Sequence, residues 1–264
     1  MTANYSTILR YRTLALCGIL ILTACVIAQY LHAQDDIDSI IHQAEIAYLN
    51  ADYETAISLY TSLINVGVKT EAVYFNLGNA YYESGDTGRG LLNFLRALEY
   101  APRDIDINTN IALIRSRRVD VQDEVVPFTD NLTALTATTF RTNELGWMTF
   151  IAWTMWFMLA SVAAIKHQWR SNLIMPLLIF GIIVLIAAIL YGGRLYTERY
   201  RPAAVVVEET TPVLTGPDEQ RYLKIFELHV ATEVRILEEN NGWIRFVLPD
   251  GRQGWIQRQS VEMV

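Results

Sequence analysis

The side chains able to do chemistry are scattered in this sequence. Its four histidines, His32, His42, His167 and His229, fall in four different segments, so none pairs with another at metal-ligand spacing. Both cysteines, Cys17 and Cys25, sit inside one apolar run, which leaves no Cys-based metal site and no disulfide framework for the folded parts. Adjacent acids such as Asp35-Asp36 and Glu238-Glu239 read as solvated surface. No nucleophile elbow, phosphate-binding glycine loop or catalytic Cys-His pair occurs. The expected chemistry is recognition, with no catalysis, cofactor or metal. The residues suited to it are Ile41, Glu45 and Tyr48, then Phe75, Asn79 and Tyr82, and finally Trp243 and Trp255.

Composition indicates the elements that carry these residues. Of 264 residues, 52% are hydrophobic and 19% charged, too apolar for an ordinary soluble protein. The excess lies in Leu14–Ala28, Trp147–Ile165 and Leu173–Tyr191; the remainder has a normal globular composition. The net charge is −7, and both polar regions are acidic, with 13 acids against 7 bases in residues 34–120 and 10 against 6 in 203–264. No basic patch recommends nucleic acid.

Arg10 and Arg12 precede the first apolar run, in the order expected of an export leader over residues 1–33. Three outcomes stay open: cleavage after Ala33, lipidation at Cys25 within "LTAC", or a retained anchor. Each of them exports the chain from residue 34 onward. The two later runs are uncharged spans of 19 residues, 147–165 and 173–191, each able to cross a hydrocarbon core of about 30 Å. Trp147, Trp169, Tyr191 and Tyr196 bracket them as interfacial aromatics would. With no acid, base or histidine inside, neither span can carry ions or protons. Export puts the turn at 166–172 in the cytoplasm, and the basic pair Lys166 and Arg170 agrees with that; Arg194, Arg199 and Arg201, offset by Glu198, do not.

Residues 37–70 and 71–104 align without a gap at a period of 34. Tyr74, Leu77, Gly78, Tyr81, Gly90, Phe94, Ala97 and Pro102 resemble the signature of a tetratricopeptide repeat, with Gly90 where alanine is usual. Small residues at Gly78, Gly90 and Ala97 let paired helices approach, Tyr81 and Phe94 fill space between repeats, and Pro102 stops the second helix. The first repeat keeps Ala44, Tyr53, Ala56 and Tyr60 but has Leu63 and Val68 at two signature places. Residues 105–118 suit a capping helix, so 34–118 reads as an α-helical solenoid of two repeats and a cap. Its concave face offers Ile41, Glu45, Tyr48, Phe75, Asn79 and Tyr82 as a peptide- or protein-binding groove. The basic residues of a carboxylate clamp are missing at the inward positions. Residues 119–146 are Thr-rich and read as a tether.

After Ala203 the pattern turns to short β-rich runs, "AAVVVEE", "TEVRILEE", "WIRFVL" and "QGWI", separated by "LTGPDEQ", "ENNG" and "LPDG". Five or six short strands in about 60 residues make a small all-β barrel. "ATEVRILEENNGWIRFVLPDGRQGWI" resembles a bacterial SH3 domain, and the likeness covers 203–264. Ile244, Phe246 and Leu248 share one strand face, Trp243, Arg245 and Val247 the other. Trp243 and Trp255 suit either a ligand surface or packing.

Leader, two repeats with cap, transmembrane hairpin and SH3-like barrel together resemble the BatE-type proteins of the bacterial Bat aerotolerance system. That resemblance implies a non-enzymatic inner-membrane scaffold working with von Willebrand A-domain membrane proteins, and with a MoxR-type ATPase in the cytoplasm. Both soluble domains then lie outside the cytoplasm, and the barrel could instead bind peptidoglycan peptides. If the leader is cleaved, "KHQWR", Lys166 to Arg170, is the main part left inside. It is too small for an interface of about 800 Å² per partner, so any link to the ATPase runs through other membrane proteins.

Overall fold

Asp52 and Asp86 stand 34 positions apart (86 − 52 = 34), and each begins a helix. Their carboxylates accept the backbone N–H three residues on, from Thr55 at 3.2 Å and from Arg89 at 2.9 Å. A short acid at this position satisfies donors that the first helical turn leaves open and sits at the positive end of the helix dipole. The computed structural model describes residues 34–120, 136 and 139–264. In it these caps start α2 (Tyr53–Asn65) and α4 (Thr87–Tyr100). Helices α1 (34–49) and α3 (Glu71–Glu83) precede them, and α5 (Ile105–Arg117) begins behind its own cap, Asp104. The leader at 1–33 and most of the Thr-rich tether lie outside the described residues.

The chain divides into two compact units between Val68 and Lys69, inside the stretch read from sequence as one block, 34–118. In the first unit α1 and α2 bury Ala44, Ala47, Ala56, Tyr60 and Leu63. Ala51, at φ 59°, turns the chain between them.

In the second unit α3 packs on α4 around Gly78. A Cβ there would lie 2.8 Å from the Phe94 ring, and one at Gly90 would lie 3.3 Å from Tyr82. Phe94 thus fills space within its own hairpin, where sequence periodicity places it between repeats, because only glycine leaves room for the ring beside α3. Gly78→Ala is expected to cost about 1–3 kcal/mol through overpacking, measured as a lower thermal midpoint of the purified protein. Pro102 is buried just past the end of α4.

Helices α6 (Thr142–Ile165) and α7 (Arg170–Tyr200) are joined by a 3₁₀ turn, His167–Trp169. Both are long and apolar enough to cross a membrane. At 1.5 Å per residue they measure roughly 36 and 46 Å, longer than a hydrocarbon core of about 30 Å. They also exceed the spans read from sequence, 147–165 and 173–191. The Glu144 carboxylate accepts the Arg141 N–H at 3.2 Å and starts α6 inside the expected tether. Arg194 and Glu198, 2.9 Å apart, carry α7 beyond its apolar part. Glycines let the two helices meet: a Cβ at Gly146 would lie 3.0 Å from the Tyr191 hydroxyl, and one at Gly181 3.0 Å from Trp156 Nε1. That indole N–H donates to the Leu177 carbonyl at 3.0 Å, a polar link that an apolar solvent strengthens. Phe150, Phe157, Ile179 and Ile186 are more than half exposed, as a lipid-facing surface requires.

The tail forms seven antiparallel strands: β1 (Ala203–Val206), β2 (Thr210–Leu214), β3 (Lys224–His229), β4 (Glu233–Asn240), β5 (Trp243–Val247), β6 (Gln253–Gln257) and β7 (Val261–Met263). Their order is β3-β2-β6-β5-β4-β1-β7, with β3 and β7 at the two edges. The sequence pattern predicts only five or six. Polar, Pro212-containing β2 and three-residue β7 carry too weak an alternation to be counted in advance. Proline is tolerated in β2 because pairing with β6 is confined to Leu214. Ile244, Phe246, Leu248, Val234, Ile256 and Val261 join one buried core, so the sheet must curl around a single face. Asn241 (φ 47°) and Gly242 (φ 80°) supply the left-handed pair that a tight β4–β5 turn needs.

Candidate interaction surface

Helical spacing places Phe75, Asn79 and Tyr82 on one side of α3, all half-buried. The Phe75 ring lies 5.7 Å from Phe94. Asn79 Oδ1 accepts from Asn110 of α5 at 3.1 Å, and the Tyr82 hydroxyl accepts from Arg117 Nη1 at 2.6 Å. The structure therefore brings these three together, but α5 already lies across them, so the surface is narrower than an open groove. Ile41, Glu45 and Tyr48 belong to the first unit. There Ile41 and Tyr48 are half-buried and Glu45 exposed, with Tyr48 packing 5.7 Å from Tyr53.

Trp243 and Trp255 sit on β5 and β6, both half-buried on the face away from the core. Trp255 pairs with Arg245, two residues from Trp243, which makes the indoles diagonal neighbours about 7–8 Å apart between Cα atoms. Arg245 stands on the same face and donates to Gln253 Oε1 at 3.1 Å. An aromatic pair with a cation beside it can stack on planar or aliphatic groups.

Sequence reasoning missed a junction at which the sheet domain is fastened to α4, α5 and the residues after α5. Gly88 permits the approach: a Cβ there would lie 2.8 Å from Val230 Cγ2 and 2.9 Å from the Val206 carbonyl oxygen. Around it Arg89 bonds Glu262 at 2.8 Å and Asp86 at 2.7 Å, and Arg96 donates to the Met263 carbonyl at 2.6 Å. Arg115 grips Glu233 through two N–H groups at 2.7 and 2.8 Å, and Arg118 reaches the same carboxylate at 3.4 Å. Asp120 closes the junction. Its Oδ2 accepts from the His229 N–H at 2.7 Å and from the Thr232 hydroxyl at 2.6 Å, while Oδ1 lies 2.9 Å from His229 Nδ1.

These links are unequal. Exposed ion pairs such as Arg115–Glu233 contribute about 0–1 kcal/mol each. Asp120 matters more, because Thr232 is fully buried and would keep an unsatisfied hydroxyl without it. Burial of Asp120 works against its charge. The bonds from Thr232 and from the amide and ring of His229 outweigh burial and hold the carboxyl below its usual range. No local motif advertises Asp120, since its partners lie more than 100 residues away.

A crevice of about 440 Å³ opens beside this junction, within the size range of small ligand sites. Tyr82 and Glu83 of α3, Thr87 of α4, Ile114 and Arg117 of α5, and the adjoining Arg118 and Val119 line it with Val230 and Ala231 of the β3–β4 turn. Ala231 holds φ 65°, a left-handed conformation that costs an alanine roughly 1–2 kcal/mol. Among the described residues no three His, Cys, Asp or Glu side chains converge as a metal site requires. No protein-family model matches this chain, and no curated protein matches it.

Proposed function

We propose that the chain is a non-enzymatic scaffold of the bacterial inner membrane, with tetratricopeptide repeats and an SH3-like barrel displayed outside the cytoplasm on a two-helix anchor. One observation carries this reading most: the sheet domain is fastened to α4 and α5 by Asp120, Arg89 and Arg115, so two binding-type surfaces ride together on one hairpin. The two repeat hairpins share their Asp cap at a spacing of 34, which supports the repeat assignment (86 − 52 = 34). Arg194, a positive charge that weighed against an external barrel, is only 8% exposed. It is neutralised by Glu198 and donates to the carbonyls of Thr136 and Phe140. The order of parts resembles BatE-type proteins, whose partners would be von Willebrand A-domain membrane proteins, with a MoxR-type ATPase reached only indirectly.

Affinity purification of the intact protein from solubilised membranes is expected to recover an A-domain membrane protein in stoichiometric amount. Recovery of no stoichiometric partner overturns the reading. A second reading, a sensor of peptidoglycan peptides, is favoured by Trp243, Arg245 and Trp255 sharing one outer face. It requires muropeptide binding by the full chain that Trp243→Ala weakens.

A further inference from the structure

The crevice beside the junction is lined by both cationic and aliphatic side chains. The protein carries −7 overall, and Arg115, Arg117 and Arg118 cluster at the end of α5 beside the acids Glu83, Glu233 and Asp120. Arg115 and Arg118 share Glu233. Arg117 bonds the Tyr82 hydroxyl, and among the described residues no carboxylate lies within ion-pair distance of it. Beside this guanidinium the wall is aliphatic, made by Ile114, Val119, Val230 and Ala231. Val119 lines this concave site and is 67% exposed among the described residues.

We infer that this crevice takes an extended segment of a partner protein in which an aliphatic side chain adjoins an acidic one. The aliphatic group covers Val119, Val230 and Ile114, and the carboxylate accepts from Arg117, displacing or sharing its bond to Tyr82. The inference rests on the scaffold reading and deepens it by naming what the partner presents. Charge complementarity at Arg117 selects this occupant: a basic segment would meet its guanidinium, and a purely apolar one would leave it desolvated without a counter-charge. The site is composite, since Val230 and Ala231 belong to the sheet domain while the other walls come from α3, α4, α5 and the two residues after α5.

The test uses the full chain in lipid nanodiscs and fluorescence anisotropy with a labelled, amidated peptide, Gly-Ser-Leu-Glu-Ser-Gly. Its counterparts carry lysine in place of glutamate or serine in place of leucine. The glutamate peptide is expected to bind about tenfold more tightly than the lysine peptide, the worth of one hydrogen bond to a charged group. Arg117→Glu is expected to remove or invert that preference, and Val119→Ser to weaken both leucine peptides alike. Equal binding of the glutamate and lysine peptides, no binding by any of them, or a preference that survives Arg117→Glu overturns the inference. So does tighter binding by a peptide whose only carboxylate is its C-terminus, which would replace an internal segment by a chain end. Stoichiometric partner recovery that persists in Arg117→Glu, with no discrimination among the peptides, sinks this inference alone; loss of partner recovery from the unaltered protein sinks the scaffold reading.

Discussion

Asp120→Ala is expected to loosen the sheet domain from the helices at a cost of about 2–3 kcal/mol. The substitution strips the acceptor from the His229 N–H and from the buried Thr232 hydroxyl, and each stranded donor costs on the order of 1–3 kcal/mol. Hydrogen-exchange mass spectrometry should show faster exchange across residues 229–232, with little change in α6 and α7. Asp120→Asn keeps one acceptor oxygen and is expected to lose less. Acid should act on the same clasp. The folded Asp120 carboxyl titrates below its unfolded value of about 3.9, so its contribution is present above that pH and is lost as pH falls through the lower folded value. Exchange across 229–232 that ignores both the substitution and acidification below about pH 4 would show that Asp120 fastens nothing.

Gly88→Ala should destabilise the protein by roughly 1–3 kcal/mol, against the trend for a helix. Glycine to alanine within a helix ordinarily adds up to about 1 kcal/mol of stability. Here the new Cβ would meet the Val206 carbonyl oxygen at 2.9 Å and Val207 Cα at 3.0 Å. Backbone atoms cannot rotate aside, so α4 and the sheet must part. The sign decides the matter: a raised thermal midpoint would mean that the two elements do not touch at Gly88. Combined with Asp120→Ala, the loss should be smaller than the sum, because both substitutions act on one interface.

Much of the local structure was legible because its causes are local. The period of 34 marks two similar helix hairpins, although the caps Asp52 and Asp86, which reach only three residues ahead, were not singled out from the sequence. Ile244, Phe246 and Leu248 enter the core through a two-residue alternation visible in one strand. Ends of elements were harder. The apolar pattern stops at Tyr191, yet α7 runs to Tyr200, sustained by the Arg194–Glu198 pair. Strands β2 and β7 escaped because Pro212 and a length of three residues hide them.

The candidate site was legible only in part. Phe75, Asn79 and Tyr82 do share a side of α3, but α5 covers them through Asn110 and Arg117, side chains whose spacing carries no mark of that role. The junction itself was silent in the sequence. Arg89 meets Glu262 and Asp120 meets His229 across separations of 173 and 109 residues, and only the folded chain brings such pairs together.

Photo-crosslinking from position 75 and from position 243 in intact membranes tests the scaffold most directly, because one probe lies on the helical surface and the other on the sheet. The expected result is that both positions capture membrane-protein partners in stoichiometric yield, with a von Willebrand A-domain protein among them. Efficient labelling of lipid or water alone from both positions would contradict it.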